Sequence, residues 1–154
     1  MDRYDAALHL HDLLPGLVDI ARANVTYTDY EHVELEGAEI GTRFKRETWE
    51  SRLELVHAGE HNGVVGLQTR MDEFEAVGEE AYVPKTDSTE VGLFWVEDLD
   101  FDLWHIELGA RIDWAERDPD ALTADEEDFT SFSASASAGY AFSDTWSTSV
   151  ALSR

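Results

Sequence analysis

Cysteine is absent from the 154 residues, which removes disulfides, thiolate metal sites and cysteine nucleophiles together. Basic residues are scarce: 11 Lys plus Arg stand against 34 Asp plus Glu, a formal charge of −23. Phosphate binding runs on clustered Lys and Arg, so this balance argues against a nucleic-acid partner. No apolar run approaches the roughly 18 to 20 residues that a helical membrane span needs. The opening Met1-Asp2-Arg3-Tyr4-Asp5 lacks the basic, apolar, small-residue order of a secretory signal. Catalytic signatures are missing as well. There is no Gly-x-Ser-x-Gly elbow, phosphate loop or His-Glu-x-x-His helix, and with 34 acids chance carboxylate pairs carry no weight, so an enzyme is not expected. What is present is 43% hydrophobic and 11% aromatic residues, too rich for a disordered acidic tail. Residues 1–154 are expected to form a single folded unit.

The period of that unit is two. Between Leu103 and Arg117, even positions read Trp104, Ile106, Leu108, Ala110, Ile112 and Trp114. Odd positions read His105, Glu107, Gly109, Arg111, Asp113 and Ala115. A helix would smear this pattern around its circumference, whereas a strand separates it onto two faces. The same alternation runs through Phe132 to Phe142, where aromatic ends and strict register distinguish it from a Ser/Ala linker, and through Trp146 to Ser153. Weaker versions cover Tyr4 to Leu10, Ala21 to Tyr27, Trp49 to Leu55, Val64 to Asp72 and Thr89 to Trp95, making eight candidate strands. The first is the most ambiguous, because Asp5 to Ala23 also reads as a helix interrupted at Pro15.

The connections alternate in length. Short turns are expected at Asp12 to Gly16, Gly59 to Gly63, Asp98 to Asp102 and Ser143 to Thr145. Longer acidic ones are expected at Asp29 to Gly41, Glu75 to Asp87 (with Glu79 and Glu80) and Asp118 to Asp128. An outer-membrane barrel has short periplasmic turns and long external loops. Apolar faces about ten residues long, ended by aromatics, match tilted strands crossing a bilayer of about 30 Å. The opposite faces carry Arg52, Glu54, Arg70, Glu107, Arg111 and Asp113, a lining suited to a watery lumen. The predicted fold is therefore all-β, an antiparallel up-and-down transmembrane barrel with about eight strands in this chain. On this assignment Leu108→Arg should block membrane assembly and Glu107→Gln should be mild. A complete small eight-stranded barrel with an adhesion or structural role, and a soluble β-barrel or sandwich holding a ligand, are the other readings.

The stretch Tyr27 to Phe44, with Trp49-Glu50-Ser51-Arg52-Leu53-Glu54-Leu55, resembles the barrel of TonB-dependent outer-membrane receptors, most closely the subgroup that includes zinc-uptake receptors. Val65-Gly66-Leu67-Gln68, Gly78 to Pro84, Glu107 to Arg111 and Phe132 to Gly139 continue the likeness along the chain. The resemblance implies a segment of a 22-stranded barrel in the bacterial outer membrane, surrounded by lipid. It also implies a plug domain, energy from the TonB complex, and import of a metal ion or metal chelate. The plug, signal peptide and C-terminal strands of such a receptor are not expected within residues 1–154.

Candidate ligands are few. His32 lies among Asp29, Glu31, Glu34, Glu36 and Glu39 in a predicted external loop, and an imidazole with hard carboxylates suits Zn²⁺. Asp29, His32 and Glu34 are the candidate metal set; a solvated acidic loop is the plain alternative. No bound cofactor is otherwise expected. His9 and His11 share a strand face, as two metal-bound imidazoles would, yet a polar lumen explains them equally. His57 and His61 flank a predicted periplasmic turn and are assigned no role. Asp98-Leu99-Asp100-Phe101-Asp102 begins like a calcium loop but has Leu103 where glycine is required. The acidity itself has two accounts, concentration of cations at the cell surface or hydration of a surface in saline water.

Overall fold

The computed structural model describes residues 1–37, 39–57, 59, 61–78, 81, 83–121 and 125–154. Glu79 and Glu80, placed by sequence in the second long loop, lie outside the described residues. Eight antiparallel strands form one sheet in chain order: β1 (Asp2–Leu14), β2 (Val18–Glu36), β3 (Glu39–His57), β4 (Asn62–Gly78), β5 (Thr86–Phe101), β6 (Trp104–Pro119), β7 (Glu127–Ser143) and β8 (Trp146–Ser153). Each pairs with its sequence neighbour, so the topology is up-and-down. Among the described residues β1 and β8 are bonded on one side only, and the sheet is open.

The N-terminal ambiguity resolves to a strand. Pro15 sits in the turn between β1 and β2, closed by the Leu17 amide donating to the Leu14 carbonyl at 2.9 Å. At the same end, Asp102 adopts φ 48° in the two-residue turn between β5 and β6. Aspartate visits this left-handed region more readily than most residues.

One expectation is corrected. The segment from Asp29 to Gly41 is not a loop but a β-ribbon, with β2 continuing to Glu36, β3 starting at Glu39 and the turn at Gly37 (φ 66°). A ribbon that projects beyond the apolar band is wet on both sides and loses hydrophobic alternation while keeping its hydrogen bonds. Periodicity therefore understates strand length there. The same effect extends β4 to Gly78 and β6 to Pro119, leaving connections of residues 79–85 and 120–126.

Directly paired residues share a face, so the ladders assemble rows across the sheet. One row reads Leu8, Ala23, Leu53, Leu67, Leu93, Ile112, Phe132. Toward the loop end, Tyr4, Tyr27 and Trp49 lie side by side on this face, with ring centroids 6.4 and 4.7 Å apart. Toward the turn end, Trp104, Tyr140 and Phe142 do the same at 4.8 and 4.9 Å. Among the described residues nothing covers the apolar face between these girdles: Leu53, Leu67 and Leu93 are 43%, 39% and 45% exposed. Ile106, Leu108 and Ile112 are likewise not sealed in a compact interior. Val18, Ala21 and Phe94 are the only buried apolar residues among those described. A face this greasy and this open is not the lid of a core; it is of the kind that a transmembrane barrel presents outward.

Beyond the loop-end girdle the outer face turns acidic in one step. Asp2, Asp29, Glu47, Glu73, Asp87 and Asp118 stand opposite one another in a single row across six strands. Like charges directly opposite on neighbouring strands are destabilising. Ionic strength shortens their reach, from about 30 Å at 0.01 M to about 3 Å at 1 M salt. Thermal unfolding of the refolded protein should therefore shift to higher temperature as sodium chloride rises, and Asp29→Asn, which removes a charge facing Asp2 on one side and Glu47 on the other, should flatten the dependence. A melting temperature indifferent to salt would show that the row carries little net repulsion.

Candidate functional site

The other face of the sheet is the inner one, and it gathers the scarce cations. Arg3, Arg22, Arg46, Arg52, Arg70, Arg111 and Arg117 all stand in inner-face rows, seven of the 11 basic residues. At mid-height Phe94 is 8% exposed and lies flat on the wall, with the Arg52 guanidinium 4.3 Å and that of Arg111 5.9 Å from its ring centre. Gly66 and Gly92 make this possible: a Cβ at Gly66 would strike the Phe94 ring, and one at Gly92 the Arg111 guanidinium. Around the ring, Arg52 donates to Glu54 at 2.8 Å and to Gln68 at 3.2 Å. Arg111 donates to Gln68 at 3.4 Å and through Nε to both Asp113 oxygens at 2.9 Å. The wall is a connected ionic surface, suited to water or polar protein rather than lipid.

Nearer the loop end, Asp72 is the hub. Its Oδ1 accepts from Thr48 Oγ1 at 2.7 Å, Arg46 Nε at 2.8 Å and Arg70 Nη2 at 3.3 Å. A cleft of about 370 Å³ opens there, lined by Arg46, Arg70, Asp72, Phe74, Ser88 and Arg117 among others. These side chains come from β3, β4, β5 and β6, so no local motif announces them. Only the strand registers bring them together.

The metal candidates meet the structure unevenly. His32 and Glu34 share the inner face, with His32 Nε2 3.8 Å from Glu34 Oε1. Asp29 lies in the outer acidic row, on the opposite face, and the three do not converge. His32 instead stacks on Phe44 at 4.5 Å and 9°. His9 and His11 do share the inner face, where Arg22 stands opposite His9. His57 pairs with Glu97 at 3.1 Å, and Trp95 Nε1 donates to the same carboxylate at 3.2 Å. That group is a polar island on the outer face close to the turn end. Asp100 binds His105 at 2.8 Å rather than forming a calcium loop.

Among the described residues, the one set of three metal-competent groups within 4.8 Å is Glu116, Glu126 and Asp128, all exposed. Repulsion from Glu116, and then from Asp128, holds the Glu126 carboxyl above the ordinary glutamate range. A carboxyl raised in the folded state favours folding while protonated, and that contribution disappears as pH rises through its folded-state value. Amide exchange around residues 125–128 should therefore slow as pH falls through that range, after correction for intrinsic rates. Glu126→Gln should remove that part of the pH dependence.

An open strip of up-and-down strands, greasy and girdled outside and ionic inside, defines the wall of a transmembrane β-barrel. A family profile described as TonB dependent receptor-like, beta-barrel matches residues 2–154, and the chain belongs to that family, whose barrels reside in the outer membrane of Gram-negative bacteria. Among solved structures, the copper transporter OprC superposes with a TM-score of 0.83 at 14% sequence identity. That match covers 98% of this chain and 29% of the transporter, and at this identity it establishes the fold alone. No curated protein matches the chain.

Proposed function

We propose that this chain is wall from an outer-membrane receptor that imports a metal ion or metal chelate with energy from the TonB complex. The supporting observation is the two-faced wall itself: a lipid-ready band on one side and a hydrogen-bonded ionic surface on the other. A barrel with an ionic lumen can seat a polar plug and pass a polar cargo. Family membership supplies the coupling to TonB, and the copper-transporting neighbour and the likeness to zinc-uptake receptors both favour a transition metal. Within this reading His32, beside Glu34, is the imidazole placed to meet the cargo at the outer mouth, and Zn²⁺ is the simplest ion for it.

The test uses the full receptor in its native outer membrane. Cells should accumulate radioactive zinc or copper, free or chelated, when the receptor is present, and fall to background in a host lacking TonB. Equal accumulation with and without TonB would overturn the reading. Solubility of the receptor in plain buffer without detergent would overturn its membrane part.

A further inference from the structure

We propose that the His57–Glu97 pair on the outer face seats a phospholipid headgroup bearing a primary ammonium, drawn from the leaflet at the turn end, whatever cargo the receptor carries. Along β5 the outward residues run Val91, Leu93, Trp95, Glu97, Leu99 and Phe101, so Glu97 is the one charge among them. Its side chain is only 16% exposed. It reaches across β4 to His57 on β3, with Oε2 3.1 Å from Nε2, and the same oxygen accepts from Trp95 Nε1 at 3.2 Å. Gly63 lets the pair meet. It stands between the two strands' residues in the ladder, and a Cβ there would strike both the Glu97 carboxylate and the His57 ring. Gly63 is also the second residue of β4. The carboxylate therefore lies over the turn end of β4, near headgroup depth, although Glu97 itself is set further in along β5 than Phe101.

What the pair leaves open is acceptor chemistry. Both contacts fall on Oε2, and Oε1 has no hydrogen-bond partner among the described residues. In the tautomer that donates Nε2–H to Glu97, the His57 ring offers Nδ1 as a second acceptor. A carboxylate oxygen left without a donor beside hydrocarbon is costly. No internal cation is at hand to fill the gap: between the girdles no Lys or Arg of β3 to β6 shares this face among the described residues. A primary ammonium brings positive charge and three donors, enough for both acceptors. A quaternary ammonium brings the charge without the donors, and an anionic headgroup is repelled. The surroundings suit the rest of a lipid. Leu55, Val65 and Trp95 form one apolar row next to the pair, on its side toward the bilayer interior, where an acyl chain can lie. An indole with its N–H engaged is a common anchor at a membrane interface.

The test is native mass spectrometry of the full receptor, delipidated in detergent and offered equal amounts of phosphatidylethanolamine, phosphatidylcholine and phosphatidylglycerol with matched chains. The phosphatidylethanolamine adduct should exceed each of the others by about fivefold or more, because charge-assisted hydrogen bonds separate them. Glu97→Leu, which makes the outward run of β5 wholly apolar, should assemble normally and erase the preference. Glu97→Gln should reduce it part way, keeping an acceptor without the charge. Heat-modifiable migration on gels checks that each variant has folded. Equal adducts of the three lipids on the unaltered receptor, or a preference that survives Glu97→Leu, would overturn the proposal. Soluble phosphoethanolamine, titrated in parallel, separates a lipid from a free amine: displacement of the lipid at equal concentration would overturn the headgroup assignment. If Glu97→Leu fails to assemble while Glu97→Gln keeps the full preference, the pair is purely structural and the proposal falls.

Discussion

Leu67→Arg is expected to abolish assembly of the receptor into the outer membrane, while Ser131→Arg leaves it close to normal. Leu67 stands midway along β4 between the girdle residue Met71 and the turn end, and its row neighbours are Leu53 and Leu93. No acid on that row could take up a guanidinium, and burial of Arg near the bilayer midplane costs about 2 to 4 kcal/mol. Ser131 faces inward directly opposite Asp113, so the same side chain there finds a carboxylate and water. Leu108, the position that the sequence alone nominates, is a weaker test because Glu97 stands directly across from it on β5 and could pair with the new charge. Outer-membrane abundance and heat-modifiable migration report the result. Equal loss at Leu67 and Ser131 would mean that the two faces are assigned the wrong way round.

The second large effect belongs to Gly78→Ala. Gly78 ends β4 at φ 153°, a conformation that side chains rarely adopt. A Cβ there would also run into the Gly41 carbonyl oxygen and come 2.6 Å from Thr42 Cα. Both obstacles are backbone, so no rotamer change relieves them, and Thr42 is only 1% exposed. Backbone strain of about 1 to 3 kcal/mol and overpacking of a similar size add here. The expected outcome is local: the loop-end half of the β3–β4 ladder opens, seen as faster amide exchange from Thr42 to Arg46 and new protease cutting near Gly78, while the membrane band stays protected. Unchanged exchange across Thr42 to Arg46 would refute this account. Gly66→Ala is gentler by comparison, because the Phe94 ring it displaces can swing away.

These two cases show where sequence reading succeeds and where it stops. The alternation from Trp104 to Trp114 reports β6 faithfully, since one of its faces is apolar and the other polar. The same rule fails from Asp29 to Gly41, where both faces are wet and only hydrogen bonding keeps the ribbon extended. Face assignments within a strand are readable from period two. Which residue stands across the gap is not, because register depends on the partner strand. Hence Asp29 is grouped with His32 by spacing and separated from it by geometry, and Arg46, Arg70 and Arg117 stay scattered until four strands are aligned. Nothing in the sequence announces the role of Gly66 and Gly92. Their use as room for Phe94 and Arg111 appears only when the rows are laid side by side.

The β2–β3 ribbon has one consequence for the cell. From Trp49 at the girdle to Glu39 near the tip is ten residues, about 34 Å along the strand at about 3.4 Å per residue. Even tilted by about 40°, it carries the Gly37 turn roughly 25 Å past the bilayer's outer edge. A peptide epitope spliced at that turn would thus be within reach of antibodies on intact bacteria, making this hairpin a natural handle for immunolabelling and for mapping which way the wall is threaded.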